Sequence, residues 1–266
     1  MQAVRTAVFY LLFMGQTVIL AIIVGVVAVI FRRRTRLSWA LATYWYRSNV
    51  VLLRLVAGID SEVTGAENIP PGPCILAGKH QSNWDIFALL PFTDDKPAFI
   101  AKRELIDIPF FGWAAQSIDT ISIDRKLGAE AIPRMLADAR AALARGCRLI
   151  IFPEGTRKAP LAPPDYRQGI VRLYEALDVP VVPVALNSGL YWGRHAMLWP
   201  GIARARILPP ILPGLAPADF AAELERRIET ATTELIADAV AAGRSRPLGE
   251  GFVGRLDERK RELGLS

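Results

Sequence analysis

The chain has 266 residues, a formal net charge of +6, two cysteines and two histidines; its pI is near 9.6 and its mean hydropathy is +0.27. So few cysteines, each beside an apolar run (CILA and CRLIIF), exclude a disulfide framework and fit a thiol-preserving compartment. Scattered His and Cys with no H-E-x-x-H argue against zinc, and no metal is expected. The positive balance suits an anionic partner, whether lipid surface, phosphorylated substrate or nucleic acid, and charge alone does not choose.

Residues 7–31, AVFYLLFMGQTVILAIIVGVVAVIF, carry no charge. As a helix at about 1.5 Å per residue they would cross a bilayer core of about 30 Å with some tilt. Arg32, Arg33, Arg34 and Arg36 follow, against Arg5 alone before. That asymmetry predicts an anchor in the cell (inner) membrane with the body of the protein on the cytoplasmic side. A signal peptide would be shorter and positive on the other flank; a buried core helix is the competing reading, which Gln16 and Thr17 permit. Residues 37–58, rich in Trp and Tyr with Arg47 and Arg54, suit an interfacial helix or the second arm of a helical hairpin.

From Ile59 the pattern changes. The apolar runs CILAG, AFIAK, RLIIF and VPVVPVAL read as buried strands, and EAIPRMLADARAALARG between them as a helix with Ile132, Leu136, Ala139 and Leu143 on one face and Gly146 as its stop. A further packing helix is predicted over 217–242 through Phe220, Leu224, Ile228, Ala231 and Leu235. The fold class is therefore α/β, a largely parallel sheet covered by helices, preceded by an N-terminal membrane helix or helical hairpin. The expected division is an anchoring segment over 1–58, the main domain over 59–242 and a charged tail over 243–266, the tail either a solvated helix, disordered or a membrane-surface contact.

Two motifs fail their context tests. Gly249, Gly251 and Gly254 satisfy G-x-G-x-x-G but follow no strand; Gly72 to His80 imitates a phosphate loop with one residue too many and His80 where Ser or Thr belongs.

The chemistry concentrates elsewhere. In LAGKHQSNWDIFALL, His80 stands after a strand and five residues before Asp85. Ser82 and Asp85 form a capping-box pattern, so Asp85 has a purely structural reading; alternatively, a turn entering the helix lets it meet His80, making a general base with its orienting acid. LIIFPEGTRK ends a strand with Glu154, Gly155, Thr156, Arg157 and Lys158, a candidate phosphate clamp or an ordinary polar loop. Arg125 follows the β-like TISID. No G-x-S-x-G elbow supplies a protein nucleophile, which points to a substrate hydroxyl attacking an acyl group directly.

Taken in this order, the pieces resemble the 1-acyl-glycerol-3-phosphate acyltransferase family over roughly residues 65–187. His80 and Asp85 match its H-x-x-x-x-D, residues 123–125 its second motif, residues 152–157 its F-P-E-G-T-R and residues 181–184 its fourth; Lys102 with PFFGW and residues 166–169 add support, with Tyr166 standing where Phe is usual. The resemblance implies that His80 deprotonates the acceptor hydroxyl and Asp85 fixes its tautomer. It implies that Arg125 and Arg157, with Lys102, hold the glycerol phosphate, and that Glu154, Gly155 and Thr156 shape the acceptor site. The partners it implies are the lipid bilayer, lysophosphatidate and a thioester donor, acyl-CoA or acyl carrier protein, with no cofactor, no metal and no nucleic acid. Other lysolipid acceptors, a hydrolase using Ser82, and a non-catalytic membrane-tethered lipid binder are the rival expectations. His195, among Trp and Tyr residues, is read as structural or interfacial.

Overall fold

In a computed structural model the described residues are 1–31, 36–93, 96–194, 197–243 and 247–265. Arg32, Arg33, Arg34 and His195 lie outside them, as do the side chains of Phe31, Arg36 and Arg125. Helix α1 runs Gln2–Phe31 and α2 runs Arg36–Leu52, continued by a π-helical turn over Leu53–Ala57 that stops at Gly58 in the left-handed region. The two helices form a hairpin: Trp45 Nε1 donates to Thr17 Oγ1 at 2.8 Å, Ser48 Oγ donates to Gln16 Oε1 at 2.9 Å, and Gln16 also bonds Asn49. Gln16 and Thr17 of α1 are thus satisfied inside the pair, while Gln2 and Thr6 bond Leu198 of the body. Among the described residues α1 is the one helix long and apolar enough to cross a membrane, with mean hydropathy 2.6 over Gln2–Ile30. Leu11, Val18, Ile19, Val29 and Ile30 are exposed on it, while Phe9 and Phe13 pack against Trp192.

The strands are β1 (Ile59–Thr64), β2 (Ile75–Gly78), β3 (Pro97–Lys102), β4 (Ile121–Ile123), β5 (Arg148–Ile151), β6 (Val181–Leu186) and β7 (Gly201–Ile207). Among the described residues they form one sheet in the order β1-β7-β6-β2-β5-β3-β4. All neighbours are parallel except the β6–β7 pair. The central strands read as unbroken apolar runs because both sheet faces are covered, the usual state of parallel strands. Successive residues alternate between two apolar layers: Leu76, Ile150 and Val182 meet Trp84, Phe87 and Trp192 on one face, and Ile75, Ala77 and Leu149 meet Met135, Tyr174 and Phe220 on the other.

The remaining helices are α3 (Trp84–Leu89), α4 (Arg103–Ile106), α5 (Phe111–Gln116), α6 (Ile132–Ala144), α7 (Gln168–Leu177), α8 (Pro217–Ala241) and α9 (Phe252–Glu262). On α6 the buried stripe is Met135, Ala139 and Ala142. The expected face is turned by one residue, because Ala139 and Ala142 let the helix approach the sheet closely while Ile132, Leu136 and Leu143 flank the contact. Gly146 ends the element at φ 80°. All five residues expected on the inner face of α8 are buried. The charged tail forms α9, docked by Phe252 and Leu256 into the same apolar cluster as Trp84 and Trp192. Gly249 and Gly251 serve the turn that starts it. β1 and β7 were not anticipated. In β7, one strand in from the sheet edge, the inward Ala203, Ala205 and Ile207 alternate with Arg204 and Arg206, the pattern of a strand covered on one face.

Candidate active site

The carboxyl ends of the parallel strands gather the candidate residues, the edge where α/β sheets build sites. His80 follows β2, Phe152 to Arg157 follow β5, Lys102 ends β3, Arg125 opens the 3-10 turn after β4, and Ser188 follows β6.

α3 begins only at Trp84, so the chain from His80 to Asn83 is a turn and the five-residue spacing closes. His80 Nδ1 lies 2.8 Å from Asp85 Oδ2. Asp85 is fully buried, and Oδ2 also accepts from the backbone N–H groups of Gln81 and Ser82 at 2.7 and 2.8 Å. Its Oδ1 accepts from the hydroxyls of Ser82 and Ser188 at 3.0 and 2.5 Å. Asp85 therefore does two things at once: it satisfies the backbone at the helix start and it holds the histidine ring. A carboxylate only accepts, so the hydrogen of this contact belongs to Nδ1, and in a neutral ring that leaves the Nε2 lone pair open. The imidazole stacks on Phe152 with ring centroids 4.0 Å apart, and its side chain is 16% exposed.

Ser82 is fully buried, its hydroxyl spent on Asp85 and on accepting from Trp84 N at 3.0 Å. That geometry fits a structural hydroxyl and leaves a Ser82 nucleophile no approach. Ser188 is a neighbour of the His80–Asp85 pair that sequence reasoning passed over; it sits just beyond the fourth motif, and the same turn ties back through Gly189 N, which donates to Gln81 Oε1 at 3.0 Å.

The F-P-E-G-T-R loop wraps the same point. Lys158 N donates to the His80 carbonyl at 2.8 Å, and Gly155 N to the Phe152 carbonyl at 2.8 Å. Gly155 holds φ 63°, a conformation that favours glycine. Arg157 is half-buried, its Nη1 3.4 Å from Asn83 Oδ1; Thr156 is half-buried beside it. Glu154 points elsewhere: it is 1% exposed and accepts from Lys79 Nζ at 2.9 Å. Burial raises its pKa above the ordinary carboxylate value, opposed by the Lys79 charge.

A cavity of about 300 Å³ opens beside His80 and Gly155. Its walls are Leu20, Ala21 and Val24 of α1, Trp45 of α2, Leu105 and Ile106 of α4, and Phe111 and Ala115 of α5, with Lys102 at its margin. α1 and the turn before α5 meet backbone to backbone at Gly25, where a Cβ would stand 2.8 Å from the Phe110 carbonyl oxygen. Of the expected residues, then, His80, Asp85, Gly155 and Lys102 converge on or against the cavity. Arg157 reaches Asn83, in the turn that follows His80, Glu154 is buried against Lys79, and the Arg125 side chain is outside the described residues.

An apolar slot that ends at an oriented imidazole is suited to a long alkyl chain whose reactive head meets a base. The acyltransferase family model matches residues 60–187. A 1-acyl-sn-glycerol-3-phosphate acyltransferase of Pseudomonas aeruginosa is 35% identical over 239 residues, covering 89% of this chain and 92% of the relative. The human 1-acyl-sn-glycerol-3-phosphate acyltransferase alpha is 32% identical over 189 residues, 67% of each chain. The crystal structure of a 1-acyl-sn-glycerophosphate (LPA) acyltransferase from Thermotoga maritima superposes with a TM-score of 0.70 over 89% of this chain and 98% of that one, and at 24% identity it shows the shared fold. With the His80–Asp85 pair, the loop after β5 and the near full-length Pseudomonas match in agreement, the chain belongs to the 1-acyl-sn-glycerol-3-phosphate acyltransferase family.

Proposed function

We propose that the enzyme moves an acyl chain from a thioester of coenzyme A or acyl carrier protein to the sn-2 hydroxyl of lysophosphatidate, giving phosphatidate, with His80 as general base. The observation that carries this reading is the imidazole anchored through Nδ1 to buried Asp85 at the end of an apolar cavity. Nε2 takes the hydroxyl proton as the oxygen attacks the thioester carbonyl. The C–O bond forms, the C–S bond breaks, and the proton passes from His80 to the departing thiolate. Asp85 stabilises the imidazolium between these steps, a contribution of general-base type worth about 10² to 10⁴ in rate. Arg157 and Lys102, with Arg125, supply the cations for the phosphate. The chemistry is run by the protein's own groups and the two substrates, without a metal or cofactor.

The acceptor is an amphiphile, and the exposed apolar side of α1 supports membrane residence. Exposed Leu105, Ile108, Phe110 and Trp113 around α4 and α5 continue that side next to the cavity. The arginines that follow α1 suit the anionic cytoplasmic leaflet of the inner membrane, which would put the active site on that side. Purified enzyme given lysophosphatidate and each donor in turn should yield phosphatidate; no phosphatidate with either donor overturns the reading, and turnover confined to another lysolipid would reassign the acceptor.

A further inference from the structure

Lys79 immediately precedes His80, and the proposed chemistry leaves it without a task. It is 2% exposed, yet a buried ammonium is costly unless paired. Its Nζ donates to Glu154 Oε1 at 2.9 Å and to Glu229 Oε1 of α8 at 2.6 Å. Glu229 also accepts from the Tyr166 hydroxyl at 3.0 Å and meets Arg259 Nη2 of α9 at 3.5 Å. Burial first, then the charges of Glu229 and Glu154, push the Tyr166 phenol well above its ordinary pKa, so it stays a donor. Lys79 lies 5.8 Å from the centre of the Tyr166 ring. Lys79 thus meets both buried carboxylates and Arg259 meets Glu229, and Arg259 also pairs with the exposed Glu262 at 2.8 Å.

The pleat of β2 explains why this bears on the base. Consecutive side chains of a strand leave on opposite faces. The alternation of Ile75, Leu76 and Ala77 between the two apolar layers carries on past the strand end: Lys79 turns toward α8, and His80 turns toward Phe152 and α3. The His80 backbone amide also faces the Glu154 carboxylate and favours its charged form, while the His80 carbonyl is held by Lys158 N. Fixing the Lys79 head therefore fixes the twist of the chain on which the imidazole is mounted.

We infer that Lys79 and Glu229 are positioning residues for His80, and that the C-terminal helix, through Arg259, braces this clamp. The inference rests on the acyl-transfer reading for its kinetic consequences. It brings α8 and α9, both outside the span matched by the family model, into the scaffold of the base. It also assigns Glu154 to the support of His80 in place of direct contact with the acceptor.

The test uses full-length enzyme in detergent with lysophosphatidate and acyl donor. Lys79→Met and Glu229→Gln should lower kcat by about tenfold to a hundredfold, the scale of a small misplacement of a catalytic group, while both KM values stay within about twofold. The double variant should fall no further than the worse single, since the two act as one unit. Arg259→Ala, on an outer helix, should lower kcat less, and Arg259→Lys should restore it. Amide hydrogen exchange over residues 79–85 should accelerate in Lys79→Met and Arg259→Ala. Unchanged kcat in folded Lys79→Met or Glu229→Gln, or additive losses in the double, overturns the clamp. Should Lys79→Met fail to fold, Arg259→Ala with normal kcat and normal exchange overturns it instead. A wild-type enzyme without phosphatidate formation counts against the acyl-transfer reading, and the exchange data then still judge the clamp.

Discussion

The imidazole of His80 lies flat against the ring of Phe152, centroids 4.0 Å apart and planes 15° from parallel. The ring covers one face of the imidazole, shields it from water and restricts its rotation about χ2. Phe152→Leu stays apolar but is smaller and gives up the flat contact. It should cost about 0.5 to 3 kcal/mol in stability, the usual range for a point substitution, and lower kcat by about tenfold, as expected for a loosened base. Thermal melting and steady-state kinetics on the same preparation separate the two effects.

His80→Ala should remove turnover by at least about 10², the worth of a general base, with the fold retained. Asp85→Asn should fold at a cost of about 1 to 3 kcal/mol, because the rotatable Ser82 and Ser188 hydroxyls can accept from a new NH₂ while the remaining oxygen serves the two backbone donors. Its activity should nevertheless fall close to that of His80→Ala, since the carboxamide cannot stabilise the imidazolium. Ser82→Ala should keep substantial turnover. Loss of all activity in Ser82→Ala, with His80→Ala still active, would point to a serine nucleophile.

The raised pKa of Glu154 gives a signed pH effect on stability. Burial is its leading cause, so the folded state binds a proton more readily than the unfolded chain does. The contribution of this group is fullest below the ordinary carboxylate value of 4.5 and is lost as pH rises through the higher folded value. Compared with Glu154→Gln, the wild type should therefore lose stability as pH climbs through the weakly acidic range above 4.5. A stability difference that is flat with pH, or that rises, would contradict the assignment; denaturant titrations at a series of pH values measure it.

Ala21 faces the cavity from α1. Ala21→Phe adds bulk where an alkyl chain would lie, so preference across a series of acyl-CoA donors should shift toward shorter chains. The overpacking cost should stay within about 1 to 3 kcal/mol. An unchanged chain-length profile would place the acyl chain elsewhere.

What the sequence disclosed depended on the distance over which each feature is encoded. β2, β3, β5 and β6 were legible because strands covered on both faces must be apolar throughout. β1 and β7 escaped because IDSEVT and GIARARI are short and interrupted by charges, and they become strands by pairing with each other across more than a hundred residues and, for β7, with β6. The His80–Asp85 pair was legible because one turn contains it. Ser188, Glu229 and Arg259 were not: their partners are set by the sheet order and by where α8 and α9 dock, which no local spacing records. For the same reason Glu154 was expected beside the acceptor, when its strand-end position sends it inward to Lys79.

Helix α1 presents apolar surface on more than one side. Phe9 and Phe13 are spent on Trp192 and the core; Leu20, Ala21 and Val24 line the cavity; Leu11, Ile19 and Ile30 are uncovered. Such a helix is no tether that could be cut away to release a soluble catalyst: deleting residues 2–31 should give an aggregating body. Fold, cavity wall and uncovered apolar surface share one rod, so a substitution on α1 should alter the enzyme's stability and the shape of its cavity together.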